Sequence, residues 1–69
     1  MDSDLSEEAL EARLAEAKQD HVDLDAAIHA LSAAPIPDMM LIGRLKRKKL
    51  KLKDEIARLE DLFTPDIIA

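Results

Sequence analysis

Two runs of heptad-spaced apolar residues, separated by a pair of prolines, most constrain what this chain can fold into. In the first half, apolar residues recur at alternating steps of four and three, with His21 filling one gap: Leu10, Leu14, Ala17, Leu24, Ile28 and Leu31. The second half continues this spacing, with Lys49 filling its gap: Ile42, Leu45, Leu52, Ile56, Leu59 and Phe63. Such spacing is typical of helices that pack along a shared seam. The sequence therefore predicts two helices.

Prolines and capping residues set the predicted boundaries of these helices. Pro35 and Pro37 cannot continue a helix, whereas Asp4 or Ser6 can begin one, and Asp4 and Glu7 have the spacing of a capping box. We predict helix 1 at about 5–33, a loop at 34–38, helix 2 at about 39–63 and a frayed tail at 64–69. Because a short loop favours antiparallel neighbours, we expect a single all-α domain, an antiparallel two-helix hairpin resembling a coiled coil, with Asp38 capping helix 2.

The small size of the chain predicts self-association. A domain of 69 residues buries a small core, and its folding free energy is only about 3 to 5 kcal/mol unless something adds to it. The chain has no cysteine, so neither a disulfide nor a thiol-based zinc site is available. We therefore expect a homo-oligomer, formed by association of hairpins into a four-helix bundle, and allow for a further protein partner.

The N-terminal region argues against export. No continuous apolar run occurs in the first half, and acidic residues occupy the place where a signal peptide carries positive charge: Asp2, Asp4, Glu7 and Glu8. Neither a membrane span nor a membrane partner is expected. The predicted location is the cytoplasm.

Two sequence blocks resemble a known family. The first, H-x-x-L-D-x-x-I, begins at His21, and the second, L-K-x-x-K-L-x-L-K-D-E-I, begins at Leu45. Together, over roughly residues 14–60, they resemble the YdcH-like family of small uncharacterised bacterial proteins. This resemblance implies a short helical hairpin, a bacterial source and a cytoplasmic setting. It implies no activity.

Seven of the ten basic residues lie within residues 43–56, although the net charge of the chain is −5. Like charges four apart on a helix destabilise it by roughly 0.2 to 0.5 kcal/mol per pair, so an offsetting interaction is expected. The simplest offset is the acidic first half of the chain. We expect Lys46, Lys48 and Lys53 to face Asp20 and Asp25 across the hairpin.

Phosphate binding is the competing interpretation of the basic run. Its candidate residues are Arg44, Arg47, Lys48 and Lys51, and such a surface would bind nucleic acid with steep salt dependence. No aromatic residue lies nearby to stack on a base, and the charges surround most of the helix. Nucleic acid is therefore the less favoured partner, followed by an acidic protein surface.

His21 and Lys49 are polar residues at seam positions. We expect His21 to hydrogen-bond a neighbour, with Asp25 one turn away, rather than to ligate a metal. Lys49 is predicted either to set the register of association or to extend its long stem to the edge of the seam. No metal site is predicted.

Apolar residues also cluster at the two ends of the predicted hairpin. Ile36, Met39 and Met40 lie around the loop, and Leu62 and Phe63 lie at the other end. Two interpretations stay open: these residues cap the ends of the bundle, or they contact a second copy or another partner.

The functional prediction follows from these features. We expect a small interaction or adaptor module that works by helix docking and self-association, with a weak, non-specific nucleic-acid binder as the alternative. No nucleophile, base and orienting group fall together, so no catalytic residue, cofactor or small-molecule substrate is predicted.

Overall fold

A computed structural model of this protein describes residues 6–63. Helix α1 spans Glu7–Ser32 and helix α2 spans Met39–Phe63. The two helices pack side by side as an antiparallel hairpin, and no strand occurs within these residues. The predicted all-α hairpin is confirmed. The predicted tail at 64–69 lies outside the described residues.

Helix α1 begins at a serine cap. The Ser6 hydroxyl accepts a hydrogen bond from the backbone N–H of Ala9 at 3.0 Å, and Glu7 and Glu8 occupy the first turn. Ser6 was one of the two predicted starting points, and it satisfies a backbone donor that the helix cannot. The alternative capping box of Asp4 and Glu7 is wrong, because Glu7 is the first helical residue rather than the third. Asp4 itself lies outside the described residues.

The connection between the helices uses local backbone and side-chain bonds. The Ala33 N–H reaches the carbonyl of His29 at 3.2 Å, which closes the last turn of α1 before Pro35. The Asp38 carboxylate then accepts a hydrogen bond from the Leu41 N–H at 3.0 Å. Asp38 is thus the predicted cap of α2.

The buried core is small. Four residues of the described chain are buried, Ala17, Ile28, Ile42 and Leu59, and all four belong to the predicted seams. The other seam residues are half-buried because a two-helix hairpin has no third element to cover them. A fully buried large apolar side chain contributes about 1.5 to 3 kcal/mol, so this core offsets little of the cost of ordering the chain.

Neither α1 nor α2 is long and apolar enough to cross a membrane.

Candidate functional site

Three ion pairs join α1 to α2. Arg13 donates from Nε to Glu55 Oε2 at 2.7 Å, and its Nη2 contacts the same oxygen. Lys18 lies 3.2 Å from Glu60, and Lys49 donates to Asp25 at 2.6 Å. In the first two pairs the basic residue belongs to the acidic helix α1. Only in the third pair does the base belong to α2 and the acid to α1, as the net charges of the two halves predict.

Lys48 shares a groove with Asp20, and Lys46 shares one with Asp25, as expected for residues that face each other across the hairpin. None of Lys46, Lys48 and Lys53 forms an ion pair within residues 6–63. The Asp25 carboxylate binds Lys49 instead, because the Lys49 stem extends from the seam to its edge. Within residues 6–63 most cations of α2 form no ion pair: Arg44, Lys46, Arg47, Lys48, Lys51, Lys53 and Arg58. Apart from Lys49, the basic run is therefore not neutralised by direct ion pairs inside the described hairpin.

The cross-helix bonds shift the pKa of two groups. The hydrogen bond from Lys49, together with the charge of that ammonium, lowers the pKa of Asp25. The hydrogen bond to Glu55 and the charge of that carboxylate raise the pKa of Arg13. Both shifts favour the charged forms that make the pairs.

His21 has no hydrogen-bond partner in the described part of the chain. Its Nε2 atom is buried in the seam, and the carboxylate expected to bind it, that of Asp25, binds Lys49. The predicted bond between His21 and Asp25 is therefore wrong. A buried polar atom without a partner costs free energy, so we expect an apolar residue at this position to stabilise the seam.

One side of the hairpin is charged. Asp20 and Asp23 of α1 line an open groove with Lys48 and Lys51 of α2, above an apolar floor of Leu24, Ala27 and Leu52. Arg13 and Glu55 pair further along the same side. We call this side the charged face. Two of the four residues predicted to bind phosphate thus lie beside carboxylates, which oppose an anionic ligand. The other two, Arg44 and Arg47, are exposed on α2.

The predicted apolar clusters lie at opposite ends of the hairpin. Around the loop, Ile36, Met39 and Met40 form a tip cluster whose members are 66 to 89% exposed. At the open end Leu62 is exposed, whereas Phe63 is half-buried beside Leu14. One hairpin does not bring the two clusters together.

The opposite side of the hairpin carries two exposed apolar residues that the sequence interpretation missed. Val22 is 59% exposed and shares a groove with Asp25, His29 and Lys46. Leu50 is 61% exposed and lies one turn after Lys46, hence on the same side.

Heptad steps from Val22 and Leu50 continue this side through three small residues and a histidine. We call the resulting surface the apolar face: Ala15, Val22 and His29 on α1, with Gly43, Leu50 and Ala57 on α2. The seven-residue spacing is visible in the sequence and could have indicated this surface. The sequence interpretation considered only the seam positions, and these residues lie outside the seams.

The described residues contain no group of three His, Cys, Asp or Glu side chains that could hold a metal ion. Comparison with known proteins gives one match: residues 14–60 match a family model described as a protein of unknown function (DUF465). No curated protein and no solved structure matches the chain. The matched description does not carry the name YdcH-like, so that name stays a prediction.

Proposed function

Because the chain belongs to the family of proteins of unknown function DUF465, we propose a function from its surface: it is a small interaction module that docks by helix packing and self-associates. The proposed cellular setting is the bacterial cytoplasm, in line with the YdcH-like resemblance. The grooves of the hairpin are open to solvent, which favours docking over the enclosed binding of a small substrate. We propose neither a cofactor nor a catalytic step.

One observation carries this proposal: the described chain exposes more large apolar side chains than it buries. The exposed ones are Val22, Ile36, Met39, Met40, Leu50 and Leu62, whereas the buried core includes only three residues larger than alanine. Scattered apolar residues are ordinary on a surface, but these are grouped on the apolar face and at the ends. Association through one of these groups would bury its apolar side chains and add stability that the small core lacks.

The charges of the helices support docking between copies. Helix α1 contains seven acidic and two basic side chains, a net charge of −5, and α2 contains eight basic and four acidic ones, a net charge of +4. Two hairpins can therefore approach with helices of opposite charge side by side. Such complementarity speeds encounter and selects orientation more than it adds affinity.

Light scattering and thermal melting over a range of concentrations test the proposal. The chain has a mass of 7.7 kDa, and we expect a multiple of that mass, with a melting temperature that rises between about 2 and about 200 µM because folding is coupled to association. A mass of one chain and a constant melting temperature over the whole range would contradict self-association.

The second candidate, nucleic-acid binding, is favoured by the cations of α2 that form no ion pair. Its test is fluorescence anisotropy with a labelled duplex of mixed sequence. A phosphate-binding surface would lose roughly tenfold or more in affinity between 50 and 200 mM salt, and lose most of it when Arg44 and Arg47 are changed to Gln. Binding that is absent at low salt would exclude this function. The carboxylates of the charged face make it the weaker candidate.

A further inference from the structure

We propose that the apolar face is the surface on which a second copy of this chain packs, with the two-fold axis parallel to the helices. Helix α1 of each copy then lies on α2 of the other, and the product is an antiparallel four-helix bundle. The inference rests on the proposed self-association. It adds which surface is used and how the two copies are oriented.

The antiparallel register brings the apolar residues of the two helices to common levels. Asp25 pairs with Lys49, so Val22 and Leu50 lie within about 3 Å of each other along the hairpin axis. The same offset relates Ala15 to Ala57, and His29 to Gly43. With the proposed axis, Val22 of one copy meets Leu50 of the other, and this contact recurs on both sides of the axis.

Gly43 is the least expected residue of this face. A glycine inside a helix costs roughly 0.5 to 1 kcal/mol relative to alanine, yet a Cβ atom at this position would meet nothing within 4 Å. The packing of the hairpin itself therefore does not require a glycine. Close approach of another helix from outside the hairpin accounts for it.

The area of the face fits a dimer. Helix α1 has 26 residues, so the hairpin is about 39 Å long, and two helices of about 10 Å diameter make it about 20 Å wide. One whole side, including its charged residues, therefore offers about 800 Å² per copy, which is the size of a standard stable interface.

The charges select the orientation. An axis perpendicular to the helices, within the plane of the interface, would place the α1 helices of the two copies together, each with a net charge of −5. The parallel axis instead places each α1 beside an α2 of net charge +4. At helix spacings of about 10 Å these charges are only partly screened at physiological salt.

The charged face is the poorer surface for a second copy. Packing there would remove Asp20, Asp23, Lys48 and Lys51 from water, and this desolvation cost consumes most of what ion pairing returns. The apolar face also carries charged residues, but Asp25 is already paired with Lys49 and Lys18 with Glu60 inside one hairpin. The long stems of Lys46 and Lys53 at its inner edge can carry their ammonium groups out to solvent.

Cysteine crosslinking tests the inference directly, because the natural chain has no cysteine. Single variants Val22→Cys and Leu50→Cys are mixed, equilibrated and mildly oxidised, and the dimers are separated by mass. A disulfide requires Cα atoms within about 7 Å, so the mixed dimer is expected to exceed each same-variant dimer by about tenfold. Because both residues are exposed, the variants keep the hairpin, which circular dichroism verifies.

Asp23→Cys and Lys51→Cys, at corresponding levels of the charged face, are the matched control and are expected to crosslink weakly. Stronger crosslinking by this pair than by the first would overturn the choice of face. Val22 dimers in place of mixed dimers would overturn the orientation. Either result would still be consistent with self-association. A wild-type mass of one chain at every concentration would contradict both the proposed function and this inference.

Discussion

The apolar face and the charged face are built from the same two helices, and each is crossed by at least one ion pair, yet they differ in what lies outside the seam. On the charged face, carboxylates of α1 lie beside ammonium groups of α2. On the apolar face, Val22 and Leu50 are exposed, and Ala15, Gly43 and Ala57 lie seven residues from them along the helices. In the proposed dimer the docking surface is not the most charged side of the hairpin. The residues that identify it are a few exposed apolar ones that no seam requires.

The largest expected effect comes from charging the centre of the apolar face. We expect Val22→Glu with Leu50→Glu to raise the dissociation constant of the dimer by about 100-fold, about 2.7 kcal/mol, because two carboxylates per copy become buried without partners. Analytical ultracentrifugation measures this constant, and circular dichroism follows the helix content.

Leu62→Glu is the matched control, because Leu62 is as exposed as Leu50 but lies outside the apolar face. It should leave the dissociation constant within about threefold of wild type. The alternative is that the two copies associate through the tip cluster. If Met39→Ser with Met40→Ser separates the copies while the glutamate pair does not, association occurs through the tip and the distinction between the two faces loses its meaning.

The second prediction concerns the seam beneath both faces. Replacing His21 with leucine removes a buried nitrogen that has no partner, so we expect the free energy of unfolding to rise by about 1 to 2 kcal/mol. Urea denaturation at fixed protein concentration measures the gain. Gln19→Leu, at an exposed position of α1 that belongs to neither face, should change it by less than about 0.5 kcal/mol. Equal effects of the two substitutions would show that the buried nitrogen carries no penalty.

The sequence predicted those parts of the fold that depend on local rules. Both helices, the seams and the Asp38 cap follow from heptad spacing and prolines, which act within a few residues of the chain. The ion pairs of Arg13 with Glu55 and of Lys18 with Glu60 could not be predicted from such local rules. They depend on the register of α2 against α1 and on how far a side chain reaches, and the overall charges of the halves indicated the opposite direction.

The candidate surface was predictable only in part. The ends and the basic residues stand out in the sequence, because they form runs. Val22 and Leu50 are single apolar residues among polar neighbours, and such residues are unremarkable until the hairpin places them at one level on one side. Their meaning depends on a tertiary arrangement that no local pattern contains.

Gly43→Ala gives the third prediction and separates the hairpin from its assembly. Alanine is the better helix former and its Cβ has space, so the single hairpin should gain about 0.5 to 1 kcal/mol. The dimer should instead weaken, because the methyl group lies where the second copy approaches. Denaturation at low concentration and sedimentation at high concentration measure the two effects. Stabilisation at both concentrations would show that nothing approaches Gly43.

The smallest expected effect concerns the ion pair at the edge of the apolar face, where Lys49 binds Asp25 near His21, His29 and Lys46. Since pairing lowers the pKa of Asp25 in the folded state, its contribution to stability is fully present above the unfolded pKa of about 3.9 and is lost as pH falls through the lower folded value. Asp25→Asn should therefore lose less stability than wild type between pH 5 and 2 in thermal melts. Lys49→Met removes the cause of the shift and should flatten the acid dependence as much. If Lys49→Met showed the same acid dependence as wild type, Lys49 would not control the pKa of Asp25. The ion pair would then not stabilise the edge of the apolar face.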